Sequence, residues 1–186
     1  MTKSKTKLNE EGEIQVEQKR ANREIFLDYA PYLIIILVVI IIRTFIATPI
    51  RVNGASMDPT LNNGETMVLN KLGMHLRGIN RFDIIVARSD DSFLIKRVIG
   101  LPGERVKYED GRLYINDEKI DDPFSLSQTY DFEEVLVGAD EYFVLGDNRH
   151  ISQDSRNPHI GNIHISEIRG KTNIILFPFN RFGRVE

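Results

Sequence analysis

One stretch limits this chain before any other. Residues 30–49 read Ala-Pro-Tyr-Leu-Ile-Ile-Ile-Leu-Val-Val-Ile-Ile-Ile-Arg-Thr-Phe-Ile-Ala-Thr-Pro and hold a single charge, Arg43. About 20 apolar residues are enough for a helix to cross the roughly 30 Å hydrocarbon core of a bilayer. A buried helix of a water-soluble protein would carry a polar stripe, and Leu33 to Ile42 has none. A cleavable leader would need small residues just after the apolar stretch. Ala47 and Thr48 imitate such a site, but cutting there would leave the tail and helix as a mere export device. The stretch is read as a retained single-span anchor over 30–49, with Arg43 snorkelling toward the outer interface. Lys19, Arg20 and Arg23 precede it and Arg51 follows, which places the N-terminus in the cytoplasm and the rest outside.

The segment before the span, 1–29, mixes six Lys/Arg with six acids and is expected to be a polar cytoplasmic tail without a packed core, apart from a short helix near Ile14 to Phe26. Beyond the span the pattern changes to short alternating runs. Thr66–Asn70, Asp83–Ala87, Phe93–Ile99, Arg105–Glu109, Arg112–Ile115, Tyr142–Leu145 and Thr172–Phe177 are bounded by Gly, Pro, Asn or Asp and predict strands. Asp110-Gly111 between two alternating runs predicts a tight hairpin, and Asn116-Asp117 a further turn into Glu118–Ile120. The expected fold is therefore mainly β: one N-terminal transmembrane helix, then an all-β domain over 50–186. Residues 102–138, which include a polar segment from Asp121 to Glu134, are expected to form a small inserted β subdomain. Phe177 and Phe179 are expected to fill the core.

Composition excludes some chemistry. The net charge of -3 shows no concentrated basic face, so no nucleic-acid partner is expected. Cysteine is absent, which removes thiolate catalysis, disulfides and cysteine metal sites.

The span gives meaning to a serine that follows it. Ser56, in Ser56-Met57-Asp58-Pro59-Thr60, lies six residues beyond Ile50, so its hydroxyl stays within roughly 20 Å of the end of the apolar run. A serine hydroxyl needs a base to become a nucleophile. The four histidines, His75, His150, His159 and His164, lack a catalytic context and read as ordinary loop or surface residues. Lys96 has a better context. In Ser92-Phe93-Leu94-Ile95-Lys96-Arg97-Val98-Ile99-Gly100 the strand period puts it on one face with Leu94 and Val98, where burial would lower its pKa and free a neutral amine. The strand alone leaves open a lysine on an edge strand whose head reaches water. A third stretch, Leu145-Gly146-Asp147-Asn148-Arg149-His150-Ile151-Ser152-Gln153-Asp154-Ser155-Arg156, is a dense polar loop after an apolar strand. Its oxygen donors do not follow the spacing of an EF-hand calcium loop.

Together the three stretches resemble type I signal peptidase, the membrane-anchored Ser/Lys protease family. The match runs from serine-methionine-x-proline-threonine at Ser56, through lysine-arginine and Gly100-Leu101-Pro102-Gly103, to glycine-aspartate-asparagine and Ser152-x-Asp154-Ser155-Arg156. The resemblance spans roughly residues 30–183, including the closing Phe177-Pro178-Phe179-Asn180-Arg181-Phe182-Gly183. It implies a signal-peptidase-type catalytic domain with Ser56 as nucleophile, Lys96 as general base, and Ser152 as the serine that hydrogen-bonds the lysine amine. Asp147 and Asp154 match structural acids, and charge pairing predicts that Asp147 holds Arg97 and Asp154 holds Arg156. The Ser56 backbone N–H is the expected oxyanion donor. Some members carry a second serine two residues before the nucleophile; here that residue is Gly54, as in the Gram-positive-like branch.

The resemblance further implies secretory preproteins as substrates, cut after small residues, with a lipid bilayer as the other partner and no cofactor or metal. The substrate would add as a strand near Ser56 or along Arg88–Ser92, with Ile50, Val52 and Val86 as candidates to line shallow pockets. The expected location is the plasma membrane, with the catalytic domain on the outer face. Two other readings are weighed: a catalytically inactive membrane-anchored binding module of the same fold, and a self-cleaving repressor. The second would need a DNA-reading helical domain where this chain has its apolar span.

Overall fold

The structure, a computed structural model, describes residues 26–40, 43, 47–89, 92–125 and 129–185. The chain divides into two compact units, Met1–Thr44 and Phe45–Glu186. In the first, helix α1 covers 26–40 and so begins inside the segment expected to be tail. Its apolar side chains are uncovered on every side, from Val38 at 46% to Tyr32 at 64% exposed. Among the described residues no helix is long and apolar enough to cross a membrane. Residues 1–25, and with them most of the expected tail, lie outside the described residues.

Among the described residues the second unit holds twelve strands: β1 (Ala47–Arg51), β2 (Thr66–Asn70), β3 (Ile84–Ser89), β4 (Ser92–Gly100), β5 (Arg105–Glu109), β6 (Arg112–Ile115), β7 (Glu118–Ile120), β8 (Phe132–Leu136), β9 (Glu141–Leu145), β10 (Ile163–His164), β11 (Ile168–Phe177) and β12 (Gly183–Arg184). Every strand pair is antiparallel. The larger sheet runs β1-β2-β11-β3-β4-β9-β10 with β12 also on β11, and the smaller runs β7-β6-β5-β8. The first strand takes Ala47, Thr48 and Pro49 from the stretch expected to be anchor. Pro49 lies opposite Val68 on a strand that ends the sheet, the place in a sheet where proline is tolerated.

Among the elements that escaped the pattern reading, β8 and α2 each did so for a local reason. Phe132-Glu133-Glu134-Val135-Leu136 does not alternate, and its first three residues read as the end of the polar segment Asp121 to Glu134, yet it forms β8 opposite β5, with Val135 facing Val106. Helix α2, Lys71–Arg77, is too short to show a period; the Asn70 side chain caps it by accepting from Gly73 N–H at 2.7 Å.

Three buried clusters make the core. One joins Ile99, Phe143 and Leu145 of the large sheet to Val106, Tyr108, Leu113 and Ile115 of the small one, so the two sheets share a core. A second gathers Ile85, Ala87, Val98, Tyr142 and Val144. The third, Val52, Met57, Leu61, Met67, Ile84 and Ile175, lies under the turn that carries Ser56. Phe177 and Phe179 do not fill the core as expected: they are 53% and 81% exposed. Along β11 the inward positions are taken by Thr172 and Ile175, which leaves Phe177 at the strand end facing out and Phe179 in the turn beyond it.

Candidate active site

Ser56 is carried by a turn whose apolar residues point inward and whose backbone is tied on both sides. Met57 and Leu61 are 1% and 0% exposed, and Leu61 N–H bonds to Met57 O at 2.9 Å. Val52 pairs with the segment that closes the loop, through Val52 N–H to Glu65 O at 2.8 Å and Gly64 N–H to Val52 O at 2.9 Å. The carbonyl of Ser56 accepts from Asn148 N–H at 3.0 Å, which fixes this turn against the polar loop after β9.

Lys96 comes from the middle of the large sheet. β4 pairs with β3 on one side and β9 on the other, so the edge-strand alternative does not hold. The lysine lies opposite Ile85 and is 4% exposed. Its Nζ donates to Ser56 Oγ at 2.7 Å. Burial lowers its pKa from 10.5 to about 8, against the raising pull of Asp154 and then Asp147. Desolvation of an ammonium is costly, and here it outweighs two carboxylates.

The loop after β9 supplies the rest. Arg97 and Asp147 form a two-pronged pair, Nε to Oδ1 at 2.9 Å and Nη2 to Oδ2 at 2.7 Å, with side chains 2% and 0% exposed. Arg97 also donates to Phe82 O at 2.8 Å. Asp154 holds Arg156 through 2.8 and 2.9 Å bonds and accepts from Gly146 N–H at 3.1 Å. Both charge pairs stand as the sequence predicted. Ser152 differs: its Oγ is buried and has no hydrogen-bond partner, so the expected bond to the lysine amine is not formed. The Ser152 N–H bonds to Asn148 O at 3.1 Å, and its hydroxyl packs against Gly146 instead. A Cβ on Gly146 would stand 2.2 Å from Ser152 Oγ and 2.4 Å from Ser56 O, so glycine lets nucleophile turn and loop meet.

Other expected residues fall in different places. Val52 and Val86 are each 2% exposed, and Ile50 packs half-buried against the cluster under Ser56. Of Arg88–Ser92, Ser89 ends β3 opposite Ser92 at the start of β4, and residues 90 and 91 lie outside the described residues. Gly54 has φ of +92° and donates to Asn63 Oδ1 at 2.9 Å. His164 bonds to Ser166 at 2.8 Å in a turn, and the His150 ring meets Tyr130 edge-on; the His75 side chain lies outside the described ones. Sequence reasoning missed Arg149. It is 1% exposed and donates to Gly146 O at 3.0 Å, Tyr108 Oη at 2.8 Å, Thr129 Oγ1 at 3.0 Å and Asp122 Oδ2 at 2.8 Å. Its carboxylate partner is 27 residues away in sequence, so no local pattern pointed to the pair.

A half-buried serine whose hydroxyl touches a desolvated lysine amine is equipped for nucleophilic attack with a lysine base. The family model for signal peptidase, peptidase S26, matches residues 26–177. The chain belongs to the signal peptidase family. It is 34% identical over 182 residues to a signal peptidase I of Bacillus amyloliquefaciens, covering 91% of this chain and 98% of that protein. Signal peptidase I S of Bacillus subtilis strain 168 is 36% identical over 177 residues, covering 88% and 96%. A signal peptidase I of Bacillus caldolyticus is 38% identical over 170 residues, covering 82% and 92%. The signal peptidase is thus a hydrolase of the serine endopeptidase class and sits with the Gram-positive-like branch.

Proposed function

We propose that this signal peptidase cuts signal peptides from exported preproteins with Ser56 as nucleophile and Lys96 as general base. The observation that carries the reading is the 2.7 Å contact between Lys96 Nζ and Ser56 Oγ. With the amine neutral, Ser56 O–H donates to Nζ. As Oγ bonds to the scissile carbonyl carbon, the proton passes to the amine and the carbonyl oxygen becomes an oxyanion, which the Ser56 backbone N–H stabilises. Collapse breaks the C–N bond, and the Lys96 ammonium returns the proton to the leaving amine, leaving an ester on Ser56. Water then repeats the cycle, with Lys96 taking its proton and Ser56 leaving as the alcohol.

Asp147 and Asp154 anchor the frame through Arg97 and Arg156, and Ser152 borders the pair through Gly146. The substrate adds as an extended strand along β1, which ends the large sheet and leads toward Ser56. The enzyme is held at the plasma membrane by a single span near 30–46, N-terminus in the cytoplasm and catalytic unit outside. The uncovered apolar surface of α1 and the Lys19, Arg20 and Arg23 cluster before it support this. The test is preprotein processing by full-length Ser56→Ala and Lys96→Ala in detergent micelles. Both are expected to lose cleavage, and full activity in either would overturn the Ser/Lys mechanism.

A further inference from the structure

Between β7 and β8, two residues reach back to the site from the small sheet. Asp122, whose side chain is 4% exposed, pairs with Arg149 at 2.8 Å and also bonds to Tyr108 Oη. Two residues on, the Phe124 ring lies under Arg97, its centroid 3.4 Å from the guanidinium carbon, and packs against Phe82 at 5.4 Å. One short segment therefore grips two buried arginines. Arg97 follows Lys96 in β4 and holds Asp147, while Arg149 holds the Gly146 carbonyl, and Gly146 is wedged between Ser152 Oγ and Ser56 O. Nothing in the reaction uses Asp122 or Phe124 directly.

We propose that the 122–124 segment is a positioning clamp for the Ser/Lys pair, with Phe124 setting the Lys96-Arg97 backbone and Asp122 setting the Gly146 peptide through Arg149. The physical basis is that a buried guanidinium stays where its counter-charge and its flat stacking partner hold it. The inference rests on Ser56 and Lys96 being the reacting pair.

The test compares full-length Asp122→Asn, Phe124→Leu and the double variant in preprotein cleavage, well below each variant's Tm. Each single change is expected to lower kcat about tenfold or more, because small misplacements of reacting groups are costly. KM should stay within about twofold, since no substrate contact is removed. The double variant should be no slower than the slower single one, because releasing either prong frees the same segment. Phe124→Tyr, which keeps the ring, should restore kcat. Asp117→Asn removes an exposed ion pair with Arg105 in the same sheet and should leave kcat unchanged. A lowered Tm with unchanged kcat, a loss confined to KM, or losses that multiply in the double variant would each overturn the clamp. If Asp122→Asn fails to fold, the half-buried Phe124 and its Leu and Tyr variants decide alone. An active Lys96→Ala would refute the Ser/Lys reading itself; an inactive Lys96→Ala beside fully active Asp122→Asn and Phe124→Leu would refute only the clamp.

Discussion

Lys96 Nζ lies 2.7 Å from Ser56 Oγ, and the lysine that carries it is 4% exposed. Contact and burial act together here. Burial makes the amine a base near neutral pH, and the contact gives that base one proton to take.

The pH profile follows from the lowered pKa of about 8. Only the neutral amine can accept the serine proton, so kcat/KM should rise about tenfold per pH unit below 8 and level off above it. A profile flat from pH 6 to 9 in the processing assay, with substrate and protein intact, would count against a lysine base.

The same burial costs stability. Below pH 8 folded and unfolded chains both hold the lysine proton, and the penalty is complete. As pH rises from about 8 toward 10.5 the unfolded chain holds more protons than the folded one, so stability rises and the penalty fades. Lys96→Met should therefore be inactive yet more stable at pH 7, by up to ~3 kcal/mol from the size of the shift. Urea denaturation at pH 7 and pH 10.5 checks this; the gain should shrink at the higher pH.

Gly146→Ala should damage the site although glycine and alanine differ by one methyl. The new Cβ would meet Ser152 Oγ at 2.2 Å and the Ser56 carbonyl at 2.4 Å, one of them backbone. Overpacking of this kind costs ~1–3 kcal/mol, and the forced shift falls on the nucleophile turn. Cleavage should drop by about 100-fold or more, as expected for a roughly 1 Å misplacement. Near-normal turnover would show that the turn and loop can move apart freely.

Removing a partner from the Arg97–Asp147 pair should be among the most destabilising single changes. Asp147→Ala leaves a 2% exposed guanidinium without its counter-charge, at a cost of ~3–5 kcal/mol. Asp117→Ala, which breaks the pair with Arg105 whose side chains are 47% and 64% exposed, should cost only ~0–1 kcal/mol. Comparing the two by thermal unfolding tests whether burial sets the difference.

Strands in both sheets were legible where they alternate between clear turn residues. Thr66–Asn70, Arg105–Glu109 and Arg112–Ile115 stand where the pattern put them. β1 was hidden because its residues continue an apolar run, and an apolar run cannot say where helix stops and strand begins. The Arg97–Asp147 and Asp154–Arg156 pairs could be expected because the family resemblance marked Asp147 and Asp154 as structural acids and arginines next to the catalytic strand need charge partners. Arg149 could not be paired in advance, since its acid, Asp122, arrives from the small sheet.

The sequence by itself determined the chemistry available: a serine in a turn, a lysine in an apolar strand, a polar loop with two acids, and an apolar run before them all. These depend on local composition and period, which a chain carries before it folds. Only the tertiary structure decided that Lys96 belongs to an interior strand, that its amine meets Ser56 across 40 residues, and that Ser152 Oγ packs on Gly146 without a partner. Burial and contact depend on which strands pair and which loops close over them. Those long-range packings set the lysine pKa and the distance to its serine.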